Sequence, residues 1–252
     1  MDSTAEQVKL ELAKYTNPNR RTANYRFFKT GAGQYGENDE FVGISVPDIR
    51  IVAKRYSDLS LNEITKIITS PFHEHRLCAT IILTYQYDRG VDQEIVYDYY
   101  IDILRNKTTS QTSPDYTVRS KTRSGIDNWD IVDSSAHKII GKHIFNQSHA
   151  ILYDLADSKE LWQNRVAIVA TGWLIHKDYF DDTLKISAMF LNHSHDLIHK
   201  ATGWMLREVG KKNEDELVSF LQNHAQEMPR TMLRYSIERL SRDVRNRFME
   251  QK

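Results

Sequence analysis

The segment Asn128-Trp129-Asp130-Ile131-Val132-Asp133 is the first of several similar helical segments whose regular spacing decides the fold class. The equivalent positions are 130, 165, 200 and 234, which gives spacings of 35, 35 and 34 residues. A shorter helix is predicted before each of the last three, at about 147–157, 180–191 and 213–224. Helix pairs that recur at such a period are the signature of an α-solenoid. The sequence therefore predicts an all-α fold of stacked helical repeats.

The composition and the apolar periodicity agree with an all-α fold. Only 10 Gly and 5 Pro occur among 252 residues, so helix-breaking residues are scarce. The apolar stripes and turn residues of the N-terminal part predict helices at about 5–16, 22–31, 47–56, 60–69, 72–87 and 92–104. A chain of this length can bury one large core or two small ones. We predict a single repeat domain over residues 1–252.

Residues 105–125 interrupt the helical pattern. The stretch from Asn106 to Ser113 is mostly Ser, Thr, Asn and Gln, and it has no apolar period. The segment also carries four basic residues, Lys107, Arg119, Lys121 and Arg123. We predict an exposed, mobile, basic loop inserted into the domain. A boundary between two lobes stays open here, although the helices on both sides look alike.

Charge is balanced over the chain but uneven along it. The 34 Lys and Arg residues offset 34 Asp and Glu residues, whereas a nucleic-acid-binding domain usually has a basic excess. Residues 229–249 contain six Arg, no Lys and two acidic residues, a local net charge of +4 that leaves −4 for the remainder. Such a cluster is either an anion-binding surface or a solvated helix face.

The sequence also limits the compartment. Cys78 is the single cysteine and lies in an apolar run, which excludes a disulfide framework and predicts a buried, inert thiol. No stretch is long and apolar enough to span a bilayer, and the N-terminus lacks the apolar region of a signal peptide. We expect a cytoplasmic protein that does not associate with membranes.

Two tryptophans stand one helical turn from a charged residue. Trp129 and Asp133 are four residues apart, and Trp204 and Arg207 are three apart, so each pair shares a helix face. Aromatic faces beside a carboxylate and a guanidinium suit a cationic, sugar-like substrate flanked by phosphates. The alternative is that both tryptophans belong to the core and Asp133 is a charge at the helix border.

The repeat places further charged residues at equivalent positions. Asp130, Arg165, Lys200 and Arg234 occupy them, and stacked repeats put such positions on one surface. Arg165 stands at the edge of a strongly apolar helix, so it must be paired or face a polar groove.

The histidines near position 195 raise the possibility of a metal site. His195 and His199 have the spacing of two ligands, and His195-Asp196 is the pair found in all-α phosphohydrolases, which need further ligands that nothing here identifies. We interpret residues 192–196 as a turn between helices in which Ser194 or Asp196 caps the next helix. No metal and no cofactor is expected.

Several joined motifs resemble the AlkD family of DNA alkylation repair glycosylases. They are residues 128–136, 161–168, 199–208 and 228–235, together with Gly43-Ile44-Ser45-Val46-Pro47 and Ser70-Pro71-Phe72-His73-Glu74-His75-Arg76. The resemblance covers nearly the whole chain in order, and residues 105–125 look like an insertion relative to the family. It implies HEAT-like repeats with a basic concave groove for duplex DNA. It also implies excision of cationic purines such as 3-methyladenine and 7-methylguanine, with the lesion recognised through its backbone and no enclosing base pocket.

The resemblance assigns roles residue by residue. Asp133 corresponds to the catalytic carboxylate, and Trp129 and Trp204 correspond to the aromatic pair at the sugar of the lesion. Arg165 and Arg207 correspond to arginines that contact phosphates. The expected DNA-binding set is completed by three further basic residues, Lys200, Arg230 and Arg234. The partner is alkylated duplex DNA, and we expect the protein to act as a monomer.

The chemistry of the substrate agrees with these roles. An N3- or N7-alkylated purine is cationic and leaves without being protonated, so the enzyme needs only to stabilise the oxocarbenium-like sugar and align a water. A carboxylate at Asp133 can do both. The competing class is a non-catalytic α-solenoid that binds nucleic acid or protein along its groove, which explains the repeats and the Arg cluster equally well.

Overall fold

The computed structural model describes residues 3–90, 92–106 and 125–250. Most of the loop predicted at 105–125 therefore lies outside the described residues. The chain divides into two compact units, Met1–Ser135 and Ala136–Lys252. Within the described ranges the regular structure is helical, apart from an isolated bridge between Glu40 and Phe72. The predicted all-α fold is confirmed, and the single domain over 1–252 stays a prediction.

The first unit surrounds one long buried helix. Its described helices are α1 (Ala5–Ala13), α2 (Pro18–Phe27), α3 (Val46–Arg55), α4 (Leu61–Ile68), α5 (His73–Asp88), α6 (Gln93–Leu104) and α7 (Trp129–Ala136), the last of which ends one residue into the second unit. Helix α5 packs against α3, α4 and α6. Burial within α5 raises the pKa of Cys78 to about 12, as expected for an inert thiol.

Local sequence signals explain where these helices begin. The Ser60 hydroxyl accepts a hydrogen bond from the amide of Glu63 and caps α4. Helix α2 begins earlier than the predicted position 22, because Pro18 occupies its first turn instead of ending α1. The Asn17 side chain caps this helix by accepting a hydrogen bond from the amide of Arg20 at 3.0 Å.

The second unit is a stack of helices in two layers. After a π-helical turn (His137–Gly141), its described helices are α8 (Lys142–Ile144), α9 (Ala150–Ala156), α10 (Leu161–His176), α11 (Asp181–Met189), α12 (Asp196–Lys212), α13 (Glu214–His224), α14 (Arg230–Ser236) and α15 (Arg242–Glu250). The π-helical turn, α10, α12 and α14 pack in sequence, and α9 and α11 pack against this row. The repeat positions 165, 200 and 234 fall on α10, α12 and α14, which confirms the predicted helix pairs.

Glycine allows two of these helices to approach each other closely. A Cβ atom on Gly203 of α12 would lie 2.5 Å from the Met232 carbonyl oxygen and 2.5 Å from the Tyr235 Cβ, both on α14. The backbone of α12 next to Trp204 is therefore fixed by contact with α14. None of the described helices is long and apolar enough to cross a membrane.

Candidate active site

Trp129 packs into an aromatic cluster of the first unit. Its indole stacks on Phe28 with the centroids 5.6 Å apart and the planes 18° apart, and it meets the edge of Phe27 at 5.7 Å. Phe28 also stacks on Phe41 at 5.1 Å and lies 4.6 Å from the imidazole of His73. Trp129 is only half-buried, so part of the indole is fixed by packing and part remains accessible to a ligand.

His73 connects this aromatic cluster to the start of α7. It is 2% exposed, its Nε2 lies 2.8 Å from Asp130 Oδ2, and its Nδ1 lies 3.6 Å from Asp39 Oδ2. Burial alone would lower the pKa of His73, but the charge of Asp130, the hydrogen bond to Asp130 and the nearby Asp39 carboxylate raise it to about 9. A buried imidazolium therefore donates a hydrogen bond to the residue next to Trp129 at neutral pH.

Arg76 lies one turn further along α5 and is 1% exposed. Its Nε donates to Asp127 Oδ1 at 3.1 Å, and its Nη2 pairs with Asp39. Its Nη1 donates to two backbone carbonyls of the turn before α5, each at 3.0 Å. Burial lowers the pKa of Arg76, but the charges of both aspartates outweigh that effect and raise it. The guanidinium thus joins three segments of the first unit.

Asn128 joins the guanidinium and its aspartates to the helix that carries Trp129. The Asn128 Nδ2 donates to Asp39 Oδ2 at 2.7 Å, and its Oδ1 accepts from the Trp129 amide at 2.8 Å. We refer to Asp39, His73, Arg76, Asp127, Asn128 and Asp130 as the charged network. It fixes the first turn of α7 through side chains that are almost completely removed from water.

Asp133 lies one turn after Trp129 on the same helix and is half-buried. The hydroxyl of the neighbouring, fully buried Tyr100 is 2.9 Å from that of Ser135. Burial raises the pKa of Tyr100, the hydrogen bond with Ser135 lowers it, and the charge of Asp133 raises it further. The tyrosine therefore stays neutral beside the Asp133 carboxylate. The structure brings Trp129 and Asp133 together on one helix, as their spacing predicts.

Trp204 lies on α12 in the second unit, where it is half-buried. It lines an open cavity of about 250 Å³ together with five other residues, His137, Val169, Gly172, Met205 and Glu208. The polar members are a histidine and a glutamate, so the cavity has an aromatic wall with polar groups around it. The alternative that Trp204 belongs to the core therefore explains only the buried part of its side chain.

The two arginines implied by the resemblance have internal partners. Arg165 is 4% exposed, and its Nη1 donates to the Leu197 carbonyl at 2.5 Å, which ties α10 to the first turn of α12. Arg207 is about one-fifth exposed and pairs with Glu238, while its Nε lies 3.9 Å from Glu208. The cation at the edge of the apolar helix α10 is therefore hydrogen-bonded inside the second unit.

The remaining expected DNA-binding residues differ in how far they are engaged. Lys200 forms an ion pair with Asp196 at 2.9 Å. Arg230 donates to the Met249 carbonyl at 3.3 Å, and Arg234 is exposed. All of them lie in the second unit, whereas Trp129 and Asp133 lie in the first.

The histidines near position 195 form the turn before α12. His195 caps that helix by accepting a hydrogen bond from the Leu197 amide at 3.1 Å, so the caps predicted at Ser194 or Asp196 were wrong. His193 Nδ1 accepts from the His195 amide at 3.0 Å. No group of three or more His, Cys, Asp or Glu side chains among the described residues is arranged to hold a metal ion.

Most of the charged network has no recognisable pattern in the sequence. His73, Glu74 and Arg76 fall within one of the motifs above, but nothing in the sequence links them to Asp39 or to position 127. A signal is nevertheless present, because four charged or polar residues in a row, at 73–76, begin an otherwise largely apolar helix. Charged groups in such a helix require partners.

Comparison with known proteins adds to this geometry. Residues 8–240 match the family described as DNA alkylation repair enzymes. The chain belongs to that family. Family membership confirms the resemblance stated above, and it supports a role in alkylation repair with DNA as the partner.

The fold of the chain is similar to that of a solved structure. The structure is described as a predicted DNA alkylation repair enzyme from Enterococcus faecalis, with a TM-score of 0.66 and 16% identity over 90% of this chain and 97% of that one. At that identity the likeness shows the fold alone. A search of curated proteins gives no match.

Proposed function

We propose that this family member is a DNA glycosylase that hydrolyses the N-glycosyl bond of cationic alkylated purines in duplex DNA. The observation that carries the proposal is the α7 face, where the half-buried Asp133 carboxylate follows Trp129 by one turn and the charged network fixes the start of the helix. Trp204 enters the proposal through the resemblance, as the second aromatic residue, and within the second unit it lines the cavity described above.

Asp133 would act on the sugar and not on the base. As the bond between C1′ and the purine breaks, its electron pair goes to the base, which leaves neutral, and positive charge develops on the sugar. The carboxylate stabilises that charge and orients a water, whose oxygen bonds to C1′ and whose proton is released. A fixed group of this kind is typically worth about 10²–10³ in rate. The indole faces add attraction for the cation.

The basic residues of the second unit would hold the backbone. Arg207 and Lys200 each have a carboxylate partner that phosphate can replace, whereas Arg165 is buried and would act chiefly by positioning α12. Arg230 and Arg234 complete the proposed phosphate contacts. Such contacts position the protein on DNA without reading sequence.

The test is to incubate the protein with a duplex that carries one 7-methylguanine and to analyse the solution for free base. A matched duplex with one uracil serves as the control, because release of a neutral base normally needs leaving-group assistance and the role proposed for Asp133 supplies none. We expect release of 7-methylguanine and not of uracil. Binding to the duplex without release of either base would instead support the non-catalytic solenoid.

A further inference from the structure

Helix α2 and the turn that follows it carry basic side chains that form no ion pair with the described residues. Residues 15–36 contain no Asp or Glu, but they contain Arg20, Arg21, Arg26 and Lys29. All four side chains are exposed, and none of them forms an ion pair with another described residue. Lys66, by contrast, forms an ion pair with Glu63 on its own helix. The α2 cations repel one another and gain nothing from internal partners.

The helix is nevertheless held in a defined position. The Asn24 Nδ2 donates to Glu74 Oε1 at 3.2 Å, and the Tyr25 ring meets the edge of Phe41 at 5.3 Å. Glu74 Oε1 also accepts from the Gly43 amide at 2.8 Å, which joins α2 to the segment before α3. No residue of α2 is itself buried. A helix that is polar nearly all round, yet fixed by specific contacts, is explained poorly by core formation.

The end of α2 lies beside the proposed active-site tryptophan. Phe27 is 63% exposed, although its ring lies 5.7 Å from that of Trp129. Arg20 and Phe27 are seven residues apart and share a helix face, with a rise of about 10.5 Å between them. That distance is about three base-pair steps at roughly 3.4 Å each. Arg20 and Phe27 can therefore contact one nucleic-acid strand near Trp129.

We propose that α2 and the turn that follows it, which carries Lys29, form a duplex-DNA-binding surface. The four cations Arg20, Arg21, Arg26 and Lys29 bind backbone phosphates, and Phe27 makes an apolar contact with the nucleotide next to Trp129. The inference rests on the proposed function for the identity of the ligand and adds a second basic surface to the residues expected in the other unit. Because phosphate contacts do not depend on a lesion, α2 also binds undamaged duplex.

The first test measures the salt dependence of binding to an undamaged duplex. The double variant Arg20→Ala, Arg26→Ala is compared with Lys159→Ala, Lys185→Ala, which removes the same charge from two exposed lysines of the second unit. For the arginine variant, the plot of log binding constant against log salt concentration should be less steep than for the wild type by about 1.8, at roughly 0.9 per lost phosphate contact. The lysine variant should keep the wild-type slope.

Equal slopes for the two double variants would overturn the inference. Binding of both variants to anionic vesicles is measured as well, and an arginine variant that loses vesicle binding but keeps wild-type DNA binding would also overturn it. Since this assay needs no chemistry, it separates the inference from the proposed function. A protein that releases no base can still show the slope change, and an active glycosylase can still lack it.

The second test separates Phe27 from the charges. Phe27→Ala should lower affinity for the duplex by about fivefold or more at every salt concentration, as expected for loss of an aromatic contact with a nucleotide, while leaving the slope unchanged. Phe27→Tyr should bind like the wild type. Leu10→Ala, at a side chain that is 66% exposed on α1, is the matched control and should have no effect. Wild-type affinity of Phe27→Ala would exclude the contact.

Discussion

The two tryptophans of the proposed site are supported in different ways. Trp129 follows a buried network of charged side chains and rests on stacked aromatic rings. Trp204 follows a glycine that allows its helix to touch the next one. The charged network that holds Trp129 depends on charge and therefore on pH, whereas the contact between α12 and α14 beside Trp204 depends on shape. Each can be removed without touching either tryptophan.

The largest effect is expected from Arg76 in the charged network. Arg76→Met leaves Asp39 and Asp127 buried without their cation and should lower the free energy of unfolding by about 3–5 kcal/mol. Arg89→Met is the control, because Arg89 pairs with Asp58 at the surface and should cost less than about 1 kcal/mol. Urea denaturation measures both, and equal losses would mean that the network does not stabilise this unit.

A pH dependence should distinguish the first support from the second. The pKa of His73 is raised to about 9 in the folded state, against about 6.5 in an unfolded chain. The protonated His73 therefore contributes fully to the free energy of unfolding below pH 6.5. That contribution is lost as pH rises through 9, so the free energy of unfolding declines by about 3 kcal/mol. His73→Gln should flatten the curve of unfolding free energy against pH, and His176→Gln, at an exposed histidine, should not. Parallel curves for wild type and His73→Gln would contradict the assignment.

A smaller loss of stability is expected from a substitution at the steric contact between α12 and α14. Gly203→Ala places a methyl group 2.5 Å from two atoms of α14, and such overpacking typically costs about 1–3 kcal/mol. Gly172→Ala is the matched control, because its nearest neighbours would lie at 3.5 Å and alanine favours helices. Thermal unfolding should show a lower Tm for the first variant and an unchanged or higher Tm for the second. Equal Tm values would mean that α12 and α14 can move apart easily.

The sequence predicted the parts of this comparison that depend on local spacing. The helix pairs and the shared face of Trp129 and Asp133 follow from periodicity, because residues three or four apart must be neighbours on a helix. The charged network could not be predicted in this way, because its members come from positions 39, 73, 76 and 127–130 and only tertiary folding brings them together.

The charges show the same limit of sequence reasoning. The cluster at 229–249 stands out by composition, whereas residues 15–36 look ordinary in the sequence. The structure shows that their four cations are exposed and form no ion pair with the described residues. The resemblance implies phosphate contacts for Arg165 and Arg207, and the structure shows that both have internal partners. Exposure and pairing are properties of the fold, so a list of basic residues cannot predict them.

The most direct test of the central claim is the single-turnover rate at which Asp133→Asn releases 7-methylguanine from duplex DNA. The substitution keeps the shape of a half-buried side chain on α7 and removes its charge. We predict a rate about 10²-fold below that of the wild type, with Tm and affinity for undamaged duplex nearly unchanged. A wild-type rate of release would contradict the account, because the Asp133 carboxylate would then play no part in breaking the bond.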